Sequence, residues 1–200
     1  PGRGTTAGDQ SSTGSRQAEN AERVAAMLNE DLGMESITGW PNDDAARERD
    51  ISVLTVVATA HQPALESLKE ALHGKILADA TARIDFREPK PPAPPSAAEI
   101  AQEILGDEVR VVAAFQNVPA HTLKKNLDGS IDTDVLVCSD DVDAADQVIQ
   151  LTEAAGMRAY YAGGLKNAIT VEGLTALLIS LNKHYKSKTA SIGITGIRNQ

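Results

Sequence analysis

The stretch that most constrains the fold runs from Asp50 to His61, with the sequence Asp-Ile-Ser-Val-Leu-Thr-Val-Val-Ala-Thr-Ala-His. This short apolar run is rich in β-branched residues, which is typical of a strand buried on both faces of a parallel sheet. A helical pattern follows at once over 62–74, with Pro63 suited to its first turn. In open α/β sheets, ligands bind beyond the carboxyl ends of the strands. We therefore expect a bound molecule beside Thr55–His61.

The composition of the 200-residue chain excludes several classes of protein. Hydrophobic residues make up 42% and aromatic residues 3%, so Ala, Val, Leu and Ile must build the core. A net charge of −9 argues against a general nucleic-acid binder, since phosphate neutralisation needs clustered Lys and Arg. The single cysteine, Cys138, excludes an internal disulfide and a multi-thiol metal site. Neither a run of the ~20 apolar residues that would span a bilayer nor a secretory signal is visible, so we expect a cytoplasmic protein.

Strand and helix patterns alternate along the chain through residue 161, which predicts a doubly wound α/β sheet. The predicted strands cover 36–40, 51–58, 75–80, 108–115, 134–139 and 158–161. The predicted helices cover 17–32, 42–49, 62–73, 96–105, 144–155 and 169–185. Residues 1–13 are polar and without period, and the proline-rich stretch 81–95 predicts a long loop over the strand ends, where function is common.

Several local patterns carry two interpretations. Ser15 and Arg16 precede a helix, and a cap, a helix dipole and an arginine suit a phosphate; taken alone, they fit an ordinary capped helix with a solvated arginine better. Asp140-Asp141 resembles a metal pair, but acids at a strand exit more often cap the next helix. His61 and His121 follow strand exits, where each could contact a phosphate or ribose of a ligand. A solvated loop histidine is the favoured interpretation of each. None of the four histidines shows metal-ligand spacing.

The C-terminal region predicts an interface. The helix over 169–185 has an apolar arc broader than one sheet needs, which favours a dimer contact. The glycine-containing tail over 191–197 is either a docked strand or a lid on the substrate side.

The order and spacing of many short motifs resemble the NADPH-dependent reductases of the 8-hydroxy-5-deazaflavin coenzyme F-420, over residues 14–200. The motifs are Gly14-Ser15-Arg16, Leu54-Thr55-Val56, Gly74-Lys75-Ile76-Leu77, Ser96-Ala97-Ala98-Glu99, Val111-Val112-Ala113-Ala114-Phe115, Asn117-Val118-Pro119-Ala120, Val137-Cys138 with Asp140-Asp141, Ala162-Gly163, and Val171-Glu172-Gly173-Leu174-Thr175.

The resemblance implies a Rossmann domain that binds NADP over 14–139 and a small, mostly helical domain over 140–200 that forms a homodimer and covers the deazaflavin. The family moves a hydride between the nicotinamide and deazaflavin rings. The cofactors carry that chemistry, and the protein holds the rings face to face. The resemblance therefore implies neither an acid–base catalytic residue nor a metal.

The resemblance also implies roles for individual residues. Ser15 and Arg16 would hold the 2′-phosphate of NADP, because the planar arginine fork meets phosphate oxygens in pairs. The remaining expected cofactor contacts come from the loop after the strand at 51–58, the exit at 116–119 and the glycine turn: Thr55, Val56, Val57, Ala58, His61, Gln116, Asn117, Val118, Pro119, Gly163, Gly164 and Leu165. Cys138 is expected to pack in the core.

Three departures from the family pattern leave alternatives open. No buried strand with a glycine fingerprint precedes Gly14, although Pro1-Gly2-Arg3-Gly4 resembles the end of one. The sequence is therefore truncated or shortened, or this half of the nucleotide site is lost. Val57 and Ala58 replace a proline and a bulky residue, and Gln116 replaces a common histidine. The alternatives are a related Rossmann reductase that uses a flavin or ferric chelate, and a non-catalytic dimeric relic.

Overall fold

A computed structural model describes residues 11–125 and 131–197. The strands are β1 (Ser11–Ser15), β2 (Ile37–Pro41), β3 (Ile51–Leu54), β4 (Ile76–Asp79), β5 (Arg110–Ala113), β6 (Asp134–Val137) and β7 (Arg158–Tyr161). The helices are α1 (Ala18–Leu32), α2 (Asn42–Glu48), α3 (Ala58–Leu68), α4 (Ala97–Leu105), α5 (Ala120–Lys125), α6 (Val142–Ala154) and α7 (Ala168–Tyr185).

The strand pairs of the described residues are parallel and belong to three groups: β1-β2, β3-β4-β5 and β6-β7. The register places Asp79 opposite both Leu54 and Ala113, so the carboxyl ends of β3, β4 and β5 lie side by side. An antiparallel bridge between Ala113 and Cys138 joins the end of β5 to the end of β6. The predicted α/β architecture is confirmed.

Successive residues of β4 and β5 pack on opposite faces of the sheet, as the pleat of a strand requires. On one face, Leu77 and Val111 join a core with side chains of α3, α4 and α7. On the other, Ile76 and Val112 join a core with α6, β6 and β7. Because both faces are covered, β4 is buried along its whole length and its sequence is almost continuously apolar.

Local signals explain where the helices begin and end. Ser96 Oγ accepts the Glu99 N–H at 3.1 Å, and Glu99 Oε2 accepts the Ser96 N–H at 2.7 Å, which confirms the predicted capping box of α4. Helix α1 ends at Gly33, whose φ of 63° lies in the left-handed region that glycine adopts without strain.

Three predictions of local structure were wrong. The strand predicted over 51–58 ends at Leu54, and the helix predicted from residue 62 begins at Ala58. Nor is β3 buried on both faces: within the described residues it pairs only with β4, and Val53 is 44% exposed. Residues 11–13 belong to β1 because they pair with β2, whereas their polarity predicted an irregular segment. Pro1–Gly4, the expected remnant of a glycine fingerprint, lies outside the described residues.

Two expectations concern the C-terminal part of the chain: the domain boundary at residue 139 and the role of the tail over 191–197. A division at residue 139 would separate β6 from its partner β7, because the two strands pair along their length. The tail docks at the start of β6, where Ile192 O accepts the Asp134 N–H at 2.9 Å and Asp134 Oδ2 accepts the Ile194 N–H. That point is the end of β6 remote from Cys138. The tail is therefore docked against the sheet without forming a strand, and it is not a lid over the strand exits. Among the described residues, none of the helices is both long enough and apolar enough to cross a bilayer.

Candidate functional site

The candidate site lies at the carboxyl ends of β3, β4 and β5, which the parallel register brings to one edge. Residues 55–57 leave β3 and enter α3, Asp79 ends β4, and residues 116–119 follow β5. Thr55, Val57 and Ala58 are exposed there and Val56 is partly buried. This edge is where open α/β sheets bind ligands.

Asp79 connects the three strand exits. Its Oδ2 lies 2.7 Å from His61 Nε2 of α3, and the two side chains are 0% and 4% exposed. Its Oδ1 accepts the Thr81 N–H at 2.9 Å, and its backbone oxygen accepts from Gln116 Nε2 at 2.8 Å. His61 is therefore a buried partner of a carboxylate, and the favoured expectation of a solvated loop histidine was wrong.

Asn117 and Gln116 attach helix α7 to the end of β5. Asn117 Nδ2 donates to Val171 O and to Thr175 Oγ1, both at 3.0 Å. Thr175 Oγ1 in turn donates to the backbone oxygen of Gln116 at 3.0 Å. The expected cleft residues at 116–119 are consequently held in place by the first half of α7, with Val118 and Pro119 partly buried beside them.

Three buried polar atoms at this edge have no hydrogen-bond partner in the described part of the chain: Thr81 Oγ1, Gln116 Oε1 and Asn117 Oδ1. The amide groups of Gln116 and Asn117 cannot be reversed, because each nitrogen donates to a backbone carbonyl that only accepts. The two amide oxygens are therefore buried acceptors without a partner among residues 11–125 and 131–197, and buried acceptors of this kind are rare in native proteins. Their chemistry suits a ligand that carries N–H donors.

Ser15 and Arg16 stand where β1 ends and α1 begins. Ser15 Oγ accepts the Gln17 N–H at 3.3 Å, but Gln17 is the N-cap of α1 and no side chain caps that helix. The interpretation of Ser15 as the helix cap was therefore wrong, because β1 extends through it. Arg16 is exposed, and no ion pair of its guanidinium occurs among the described residues. Among the described residues, Arg16 is therefore unpaired at the start of α1, and the Ser15 hydroxyl still has its proton to donate to an anion.

The glycine turn after β7 packs against the protein's own loops. Gly163 has a φ of 97°, and a Cβ there would lie 2.5 Å from Asn167 Nδ2. A Cβ on Gly164 would lie 2.7 Å from Asp140 Oδ1, the atom that accepts the Leu165 N–H at 2.8 Å. Leu165 is buried in the same core cluster that Val56 packs against. The turn thus needs glycine for its own geometry.

The structure decides between the two interpretations of Asp140-Asp141. Asp141 Oδ1 accepts the Ala144 N–H at 2.8 Å and caps α6, while Asp140 binds the backbone of the glycine turn. Burial raises the pKa of the adjacent Cys138 thiol to about 11, and the residue is fully buried in the core, as predicted.

Sequence reasoning missed Asp79 and Arg83, and it named Glu172 and Thr175 only as parts of a family motif, without a role. Asp79 is a lone acid inside the apolar run of β4, and Glu172 is a lone acid beside Val171 on the apolar side of α7. An isolated charge in an otherwise apolar element was the available signal, because a buried carboxylate requires partners.

Comparisons with known proteins show which family the chain belongs to. The family model described as "NADP oxidoreductase coenzyme F420-dependent" matches residues 3–83. The F420-dependent NADP reductase of Methanocaldococcus jannaschii is 40% identical over 92% of this chain and 86% of its own length. The protein of the same name from Methanothermobacter marburgensis is 38% identical over 96% of this chain and 89% of its own length.

Solved structures share the fold. A protein of Arthrobacter sp. FB24, named as a candidate F420-dependent NADP reductase, superposes with a TM-score of 0.75 at 21% identity, covering 94% of this chain and 90% of its own. A hypothetical protein of Sinorhizobium meliloti superposes with a TM-score of 0.65 at 23% identity, covering 80% of this chain and 76% of its own.

Proposed function

Because the chain belongs to the family of F420-dependent NADP reductases, we propose that it transfers a hydride between NADP(H) and the deazaflavin coenzyme F-420. The observation that carries this proposal is the identity of 37–40% to curated reductases over more than nine-tenths of the chain. A related reductase with a flavin or ferric-chelate acceptor is the alternative that shares the same edge of the sheet.

The residues present fit the two cofactors. The buried oxygens Gln116 Oε1 and Asn117 Oδ1, which have no partner in the described part of the chain, have the acceptor chemistry that the N–H groups of a nicotinamide carboxamide or a deazaflavin pyrimidine ring require. The exposed Arg16 at the start of α1 matches the extra phosphate that distinguishes NADP from NAD. The bound rings supply the hydride chemistry.

The contribution of the chain is to bind and orient. Ser15 and Arg16 hold the 2′-phosphate, and residues 55–58 lie beside the nicotinamide and its ribose. Asp79 keeps His61 and Gln116 in fixed positions. The segments that follow β3, β4 and β5 and line the cleft therefore keep their geometry. Fixed walls of this kind bring two reactants into near-attack geometry, which is the main catalytic device available here. The turn formed by Gly163, Gly164 and Leu165 would approach the deazaflavin, and Asp140 Oδ1 holds this turn by accepting the Leu165 N–H.

The activity is tested by mixing the purified protein with NADPH and coenzyme F-420 and following the loss of deazaflavin absorbance. We expect turnover with F-420 and little with free flavin. Equal rates with both acceptors would favour the alternative reductase. Stable protein with no NADPH affinity by calorimetry would instead identify a non-catalytic relic.

The homodimer is part of the proposal and is supported by α7. Its outer face carries Leu177, Leu181 and Tyr185, spaced one turn apart and 54%, 45% and 71% exposed. Apolar stripes of this kind mark protein contacts. We expect Leu181→Glu to produce monomers in analytical ultracentrifugation, with Lys188→Glu as a charge-changing control; an unchanged dimer would place the contact elsewhere.

The proposed compartment is the cytoplasm, where the buried free thiol of Cys138 stays reduced.

A further inference from the structure

Glu172 is a buried carboxylate that the proposed hydride transfer does not use. It lies on α7 with 1% of its surface exposed. Its Oε1 accepts the Arg83 backbone N–H at 2.6 Å and Arg83 Nε at 2.9 Å. Its Oε2 accepts the Ala97 backbone N–H at 3.0 Å and Arg83 Nη2 at 3.4 Å. A charge buried to this extent is stable only because these donors surround it.

The three bonds from Arg83 attach the proline strap, which we define as residues 81–95, to α7, and the bond from Ala97 attaches the start of α4 to the same carboxylate. Arg83 stands near its beginning, and its Nη2 also donates to Ala93 O at 3.0 Å near its end. Further along α7, Lys183 Nζ donates to Arg87 O at 2.9 Å. A Cβ on Gly173 would lie 3.4 Å from Pro91, so strap and helix are in close contact. Glu172 is the one buried charge in this attachment.

The same turn of α7 also holds the exit of β5. Val171 O and Thr175 Oγ1 bind Asn117 on either side of Glu172 in sequence. The strap itself begins at Thr81, whose N–H is held by Asp79 at the end of β4. Residues 171–175 of α7 therefore set the positions of two neighbouring walls of the candidate cleft.

The strap leaves the sheet next to the residues proposed to lie beside the nicotinamide. Residues 55–58, which the proposed function places there, follow β3, and the strap follows the neighbouring strand β4. In that arrangement, the ring that faces the nicotinamide is the one that the strap would cover.

We propose that Glu172 is a positioning residue that clamps the proline strap onto α7, so that the strap forms the wall against the deazaflavin ring. The inference rests on the proposed function. It implies that Glu172 governs the affinity for the acceptor and not the affinity for NADPH. A general packing role for Glu172 would affect both cofactors alike.

The test uses Glu172→Gln, with Glu99→Gln as the matched control. Glu99 is a carboxylate in the first turn of α4, but among the described residues its side chain accepts hydrogen bonds from Ser96 and from no strap residue. Glu172→Gln replaces one carboxylate oxygen with an amide nitrogen, which cannot accept the hydrogen bonds of the N–H donors on its side. Arg83→Lys is a milder second variant that keeps the carboxylate and its two backbone donors.

Three quantities are measured on the full chain: the Kd of F-420 from its fluorescence, the Kd of NADPH, and the rate of chymotrypsin cleavage after Phe86, a strap residue that is 69% exposed. In Glu172→Gln we expect the Kd of F-420 to rise about tenfold, the factor for one lost charge-assisted bond. Cleavage after Phe86 should accelerate, NADPH affinity should hold, and Arg83→Lys should show smaller changes in the same direction.

The inference is overturned if Glu99→Gln gives the same changes, if cleavage accelerates without any change in F-420 affinity, or if both cofactors are lost together in Glu172→Gln and Arg83→Lys. Failure of the proposed function gives a different result. In that case the unaltered protein neither binds F-420 nor reduces it, while the cleavage rates still report whether Glu172 holds the strap.

Discussion

Removing the carboxylate of Asp79 tests whether the buried contacts at the strand exits hold the site together. Asp79→Leu preserves the approximate size of the side chain but leaves two buried donors without an acceptor, His61 Nε2–H and the Thr81 N–H. An unsatisfied buried donor destabilises a protein by about 1–3 kcal/mol, so the two together should lower the free energy of unfolding by about 2–6 kcal/mol. That is a large part of the ~5–15 kcal/mol by which a domain is stable.

Asp79→Asn should be milder than Asp79→Leu. Its Oδ1 can still accept the Thr81 N–H, while its Nδ2 faces His61 Nε2, which accepts once the imidazole proton moves to Nδ1. The loss is then one charge-assisted bond, about 1.5–3 kcal/mol at most. The expected order of stability is unaltered protein, then Asp79→Asn, then Asp79→Leu.

Urea unfolding followed by circular dichroism measures this order through the midpoint and the slope. Asp141→Ala is the control, because it removes a carboxylate that accepts one backbone N–H at a partly exposed helix cap, a change of about 0.5–2 kcal/mol. If Asp79→Leu is no less stable than Asp141→Ala, the two donors find other partners, and the account of Asp79 as the connection among three exits is refuted.

Three further outcomes are expected. Arg16→Ala should weaken NADPH by about 10–100-fold and NADH much less, in fluorescence titrations, since one forked phosphate contact is lost; equal losses would place the 2′-phosphate elsewhere. Gly39→Ala should destabilise the protein by about 1–3 kcal/mol or more, because its Cβ would lie 2.3 Å from the α1 backbone at Ala21. Gly33→Ala is the comparison for backbone strain alone, because a Cβ there would meet no atom within 4 Å while the φ of the residue is 63°. Because burial raises the pKa of Cys138 to about 11, its thiol should resist a disulfide reagent at pH 8 until urea is added; rapid native labelling would contradict this.

Local patterns predicted much of the secondary structure. The capping box at Ser96 and the stop at Gly33 depend on residues close in sequence, so they could be identified without a fold. The elements that were predicted wrongly depend on distant partners. Residues 11–13 are polar and form a strand only because β2 lies beside them. The end of β3 at Leu54 depends on the length of its partner β4.

The site followed the same division. The sequence by itself determined the alternation of strands and helices, the family, and the segments at which cofactors are expected, because these depend on residue types in order along the chain. Only the tertiary structure decided that His61 faces Asp79, that Asn117 is held by α7, and that Glu172 joins α7 to a strap 89 residues earlier. Those contacts join residues far apart in sequence, and a buried polar group acquires its partner only when the sheet and helices bring the two together.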